Sequence, residues 1–232
     1  DHGGELWATG LPTTAIEQGA VSGEIRDQQG LFNLNNLVTD GKQNAGDLAV
    51  LRKLLQSISL RVELADAIAD WIDTDRDAPA RGGAEDAYYL DLPVPYRAAN
   101  QQLSDMGELI RIRGMDEAAV ASLRRFAVAL PRRTAVNLAP AEVLAAIVGG
   151  LTLPDAQALI SSRSTSPIRS LEDFRARLPQ RGLQVSDEAI SVESSFFLVE
   201  GRAKVGSTDV RMSALLMRNK GAPPAIVWQR ML

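Results

Sequence analysis

Six carboxylates fall within seventeen residues: Asp70, Asp73, Asp75, Asp77, Glu85 and Asp86. Left uncompensated, they would repel one another. A hard divalent cation such as calcium answers that repulsion, because it gathers roughly six to eight oxygens at about 2.3–2.6 Å from carboxylates, backbone carbonyls and water. Asp73, Asp75 and Asp77 open the segment like positions one, three and five of an EF-hand loop. Position six, however, is Ala78 where that loop needs glycine, and position twelve is Ala84, one residue short of Glu85. A standard EF-hand is therefore not supported. A second reading leaves a solvated acidic loop in which Arg76 and Arg81 offset part of the charge. A third, glycoside hydrolysis, needs two carboxyls about 5–9.5 Å apart across a sugar cleft. Three Trp and three Tyr in the whole chain offer little aromatic platform for it.

A different chemistry is suggested further along. Asn137-Leu138-Ala139-Pro140, Val148-Gly149-Gly150-Leu151, Ala156 to Arg163 and Ile168 to Phe174 resemble a helix-hairpin-helix module, which can hold DNA phosphate at a helix N-terminus with nearby Arg or Lys. Here the hairpin lacks the usual Gly-x-Gly and has no basic residue beside it, so a packing unit with an arginine-rich outer face is the competing reading. Charge is distributed unevenly. Residues 63–117 carry 13 acidic and 5 basic side chains, a net of −8, whereas residues 124–181 carry 9 basic and 4 acidic, a net of +5. The overall charge of −4 argues against a polyanion-binding surface over the whole chain.

Other function classes are excluded by what is missing. With no cysteine there is no disulfide, no thiolate nucleophile and no Cys-based zinc site. The single histidine, His2, removes His-dependent triads and the commonest transition-metal ligand from consideration. No stretch approaches the roughly 20 apolar residues that span a bilayer, and the start at Asp1 shows no basic-then-apolar signal order. The chain as given reads as soluble, and equally fits a piece whose targeting or membrane segment lies ahead of it.

The elements that would position these residues change character along the chain. Val21 to Arg26, the turn Asp27 to Gly30 and Leu31 to Asn35 predict a hairpin. From Asp47 the apolar spacing turns helical, with Leu48, Leu51, Leu54 and Leu55 on one face and Val62, Ala65, Ile68, Ala69 and Ile72 on the next. Thr74 to Pro95 has no helical period and reads as a long loop. Helices are expected over 104–112, 116–127, 140–148, 154–162 and 170–178, the last capped by Ser170. Strand alternation returns at Phe197, Val199, Ala203 and Val205, continues at Val210, Met212, Ala214 and Leu216, and ends with Ala225 to Trp228. The order predicts an α+β chain: a domain of residues 1–45 and 183–232 with a sheet built from both ends, interrupted by a helical insertion over 46–182.

Read in order, several motifs resemble those of the type II secretion minor pseudopilins of the general secretion pathway protein K family. They are Gly23-Glu24-Ile25-Arg26-Asp27, Gly30 to Asn35, Ala69-Asp70-Trp71-Ile72-Asp73-x-Asp75, Gly83-Ala84-Glu85-Asp86-x-Tyr88-Tyr89, Tyr96-x-x-x-Asn100, Glu108-Leu109 with Ile112-x-Gly114, and Val136-Asn137-Leu138. The resemblance implies a pseudopilin-like α/β domain with an antiparallel sheet, a large all-helical insertion, and no enzymatic activity. It also implies structural calcium in the insertion, with Asp73, Asp75, Glu85 and Asp86 as ligands and Asp70 and Asp77 as helpers. Implied partners are the I and J minor pseudopilins in a tip complex that starts or caps the pseudopilus, with secreted substrate proteins as further contacts and no nucleic acid. The implied location is the bacterial inner membrane, anchored by an N-terminal helix, with this domain in the periplasm.

Overall fold

The structure is a computed structural model and describes residues 1–78, 82–131, 134–135, 137, 139–179, 182–219 and 221–232. Arg81, Val136 and Leu138, invoked above, lie outside the described residues. In chain order the elements are β1 (Leu11–Ile16), β2 (Gly19–Asp27), β3 (Phe32–Asn33), β4 (Val38–Thr39), β5 (Lys42–Gln43), α1 (Ala45–Ser57), α2 (Leu64–Ile72), α3 (Asp86–Tyr89) and α4 (Glu117–Leu123). Then follow β6 (Ala127–Val128), α5 (Ala141–Ile147), α6 (Leu153–Thr165), α7 (Leu171–Ala176), β7 (Phe196–Val205), β8 (Thr208–Asn219) and β9 (Ala222–Met231). Among the described residues no helix is long and apolar enough to cross a membrane.

Both chain ends build one antiparallel sheet in the order β1-β2-β7-β8-β9. The register puts Val21, Ala203 and Val210 side by side, then Gly23, Gly201, Met212 and Met231, so one face carries apolar residues. The opposite face carries Glu24, Arg26, Glu200, Arg202 and Asp209 and turns apolar only at Leu215, which packs with Val128, Leu130 and Phe196. Period-two alternation made these strands legible. Pro223 and Pro224 fit because β9 is an edge strand, where a missing amide donor is tolerated.

Residues 28–195 lie between the adjacent strands β2 and β7 and hold the larger core. Leu51, Leu54 and Leu55 of α1 are fully buried with Ile68 and Ile72 of α2, Val143 of α5 and Ala156 of α6. The caps are local: the Asn44 side chain accepts the Gly46 and Asp47 amides, and Ser170 accepts that of Asp173 as expected. The predicted hairpin over 21–35 is corrected. β2 turns back on β1 instead, while Phe32 and Asn33 pair in parallel with Ala127 and Val128. The apolar content of Leu31 to Leu37 serves the helical core, where Phe32, Leu34 and Leu37 are buried. Asn33 and Asn35 hold the register there, with Asn35 Nδ2 donating to the Leu103 and Leu130 carbonyls, each at 2.9 Å. Two further departures are short elements. Residues 104–112 form a 3-10 turn, Met106–Arg111, opened by a capping box of Asp105 and Glu108. The loop 74–95 contains the single turn α3, too short to show a period.

Candidate metal centre

Helix α2 is apolar on nearly every side, with Leu64, Ala65, Ala67, Ile68, Ala69, Trp71 and Ile72 all buried. Asp70 is buried among them, and Asp73 is the C-cap, where extended backbone turns the chain out of the helix. Spacing of three puts both carboxylates on one side of the last turn. That end of a helix carries the negative pole of the macrodipole and favours cations, yet α2 has no basic residue in its last turn. Glu85 arrives from the far side of the loop, in extended backbone ahead of α3. Gly82 makes the return possible: its φ is +79°, and a Cβ there would lie 2.6 Å from the Glu63 carbonyl oxygen.

The three residues are 0%, 2% and 8% exposed, and one carboxylate oxygen of each lies within 4.8 Å of the others. Each carboxylate has one oxygen satisfied. Asp70 accepts from the Ala84 amide at 2.7 Å, Asp73 from Gln43 Nε2 at 2.8 Å and Glu85 from Asn100 Nδ2 at 3.2 Å. The other oxygens, Asp70 Oδ1, Asp73 Oδ1 and Glu85 Oε1, are buried with no hydrogen-bond partner among the described residues, as is Asn100 Oδ1. Burial pushes the Asp70 carboxyl up to about 7 against the lowering pull of the Ala84 amide, and Glu85, Asp73 and Asp75 add repulsion. Burial raises Asp73 and Glu85 too, opposed by Gln43 and Asn100 respectively.

Of the six expected ligands, then, Asp70, Asp73 and Glu85 converge. Asp75 lies close enough to repel all three but its side chain is exposed, and its carboxylate accepts the Asp77 amide at 2.9 Å. Asp77 is exposed. Asp86 is turned elsewhere: Oδ1 accepts the Ala98 amide at 3.0 Å and Oδ2 faces Arg97 at 3.5 Å. Sequence reasoning missed Gln43 and Asn100. The latter has a φ of +44° and joins the two sides of the loop by donating to the Asp75 carbonyl at 2.9 Å as well as to Glu85. Its position in the Tyr96-x-x-x-Asn100 motif was the available signal.

Three buried carboxylate oxygens that have neither partner nor counter-charge among the described residues make an all-oxygen donor set, which suits a hard cation. At 0%, 2% and 8% exposure they lack the reach to an open sugar cleft that glycoside hydrolysis calls for, as far as the described residues go. The helix pair α5-α6 is present, but the N-terminus of α6 is occupied by its own residues: Thr152 caps the Asp155 amide and donates to the Asp155 carboxylate at 2.6 Å. A carboxylate at that position opposes phosphate.

Comparison with known proteins covers nearly the whole chain. Residues 30–132 and 136–193 each match a sequence profile of the family described as type II secretion system (T2SS), protein K. The type II secretion system protein K of Pseudomonas aeruginosa is 32% identical over 95% of this chain and 68% of its own length. That of Aeromonas hydrophila is 31% identical over 94% of this chain and 72% of its own. Among solved structures, a chain in the crystal structure of the GspK-GspI-GspJ complex from enterotoxigenic Escherichia coli superposes with a TM-score of 0.83 at 27% identity, covering 100% of this chain and 86% of that one. This chain belongs to the protein K family of type II secretion, the minor pseudopilins its motifs resemble.

Proposed function

We propose that this minor pseudopilin acts without catalysis at the tip of the periplasmic pseudopilus, assembled with I and J minor pseudopilins, and that it helps start or cap assembly. The observation that carries the reading is the full-length likeness to a chain from a GspK-GspI-GspJ complex. The apolar sheet face supports it, because Val210 and Met212 stand 38% and 44% exposed there, the kind of surface protein partners cover. The relatives extend beyond the matched region, and an N-terminal membrane helix in that extra length would hold this part in the periplasm.

Calcium is the second part of the proposal. Asp70, Asp73 and Glu85 would hold it, with the nearby Asp75 carbonyl and Asn100 as further oxygens. When bound, the ion supplies the positive charge that the buried oxygens lack. It thereby ties the end of α2 to the start of α3, and its role is structural. Magnesium should substitute poorly, since it demands a smaller octahedral shell and gives up its waters reluctantly.

The assembly reading is tested by pull-down of the matching I and J proteins with this chain and with Met212→Asp. Retention by the former and loss by a folded Met212→Asp variant is expected. Failure of the unaltered chain to retain either protein would contradict it.

A further inference from the structure

We propose that residues 88–96, clasped to 110–113, form a docking surface for an apolar protein segment that carries carboxylates, and that the cation inferred above keeps this surface in shape. The switch rests on the calcium reading; the surface chemistry does not.

The clasp is built on aromatic rings. Tyr89 is buried and packs against Trp71, Tyr88 and Tyr96 with ring centroids 5.0, 5.1 and 5.3 Å away. Its hydroxyl accepts the Arg113 amide at 3.2 Å, and the Tyr96 hydroxyl donates to the Arg111 carbonyl at 2.7 Å. On this ordered base Tyr88, Leu90, Val94 and Ile110 stand 38%, 49%, 77% and 47% exposed. Pro93 and Pro95 flank Val94 and fix their own φ angles, so little backbone freedom remains to be lost when a partner covers it.

Charge names the partner's chemistry. Residues 63–117 hold only five basic side chains, and three of them, Arg97, Arg111 and Arg113, are exposed on or beside this clasp; Arg97 faces Asp86 and the exposed Asp91 lies within the clasp, so the surplus positive charge rests on Arg111 and Arg113. The Arg113 guanidinium lies 4.9 Å above the Tyr88 ring. Exposed aromatic and aliphatic side chains bordered by arginine are the composition of a protein interface, and here they match apolar residues interspersed with carboxylates. The link to the cation is direct. The Glu85 carbonyl accepts the Tyr88 and Tyr89 amides, and Trp71 sits between Asp70 and Asp73 on α2. Displacing Glu85 or the end of α2 displaces the rings that carry the surface.

The test uses the whole chain and fluorescence polarisation of a labelled peptide alternating Leu and Glu, with Leu-Lys and Ser-Glu peptides as controls. In calcium the Leu-Glu peptide should bind at least about tenfold more tightly than either control. The double variant Leu90→Ser with Val94→Ser should lose that advantage while keeping the calcium-dependent rise in melting temperature, and chelator should weaken binding to the unaltered chain about fivefold or more. Equal binding of the three peptides, or undiminished binding by the double variant, overturns the surface even where calcium still raises the melting temperature. Binding indifferent to chelator, in protein whose melting temperature does respond to calcium, overturns the switch. A melting temperature indifferent to calcium sinks the cation reading and the switch with it, and the peptide comparison then decides the surface.

Discussion

The sheet and the end of α2 treat the same functional group in opposite ways. On the sheet, Arg26 pairs with Glu24 and Glu200, and Arg202 pairs with Asp209 through two nitrogens. Bonds to those arginines hold Glu24 and Asp209 below the usual carboxylate range. At α2, burial raises Asp70, Asp73 and Glu85, and among the described residues no arginine or lysine pairs with them. These sheet carboxylates are paired on an exposed surface, where such pairing contributes little to stability. The α2 site is incomplete, and a buried charge left unpaired is costly. The difference shows what the proposed cation would supply at α2: a positive charge that no described side chain brings there.

That contrast can be broken in several places. The largest effect expected is from chelation. A ligand that binds only the folded state stabilises it by about 2.7 kcal/mol at a hundredfold excess over Kd, so removing calcium should lower the melting temperature by several degrees. No change would place the α2 carboxylates in the same class as those of the sheet.

Next comes a reversal of sign. Asp70→Asn removes a buried charge at nearly constant volume and can still accept the Ala84 amide. In chelator it should stabilise the protein by roughly 1–3 kcal/mol, whereas in calcium it should destabilise it. Destabilisation under both conditions in thermal melts would contradict the account.

The pH dependence follows from the same group. The folded Asp70 carboxyl sits at about 7 against 3.8 for its ordinary value, so between those values the folded state holds the proton more tightly than the unfolded chain does. Its contribution therefore favours folding at low pH and is lost as pH rises through about 4 to 7 in chelator. Comparing melts of the unaltered chain and Asp70→Asn across that window isolates the slope, which calcium should flatten. The smallest effect is expected on the sheet: Asp209→Asn should leave the melting temperature nearly unchanged, equally so in calcium and in chelator.

Local pattern made much of this legible. Period-two alternation marked β7 and β8, helical spacing marked α1 and α2, and clustered carboxylates marked the acidic segment. What escaped was decided by tertiary contact. Asn33 and Asn35 fall in the second strand of the expected hairpin, but together with Asn36 they are buried clamps on backbone from Leu103, Leu130 and Thr134. β3 pairs with β6, a two-residue contact across a long sequence separation that no local periodicity encodes. At the site, spacing along the chain ranked Asp86 with Glu85, yet neighbouring residues at a helix start point apart, and Asp86 went to Ala98 and Arg97. Gln43 and Asn100 are neutral and distant in sequence, so charge clustering could not find them.

On the reading proposed above, calcium is held by Asp70, Asp73 and Glu85 rather than by the six carboxylates of the acidic segment together. Calorimetric titration of calcium into chelator-stripped protein, repeated with Asp73→Asn and Asp86→Asn, tests it most directly. The account predicts saturable calcium binding, weakened at least about tenfold by Asp73→Asn and left within about twofold by Asp86→Asn. Absence of saturable binding to the unaltered protein, or equal loss from both substitutions, would contradict it.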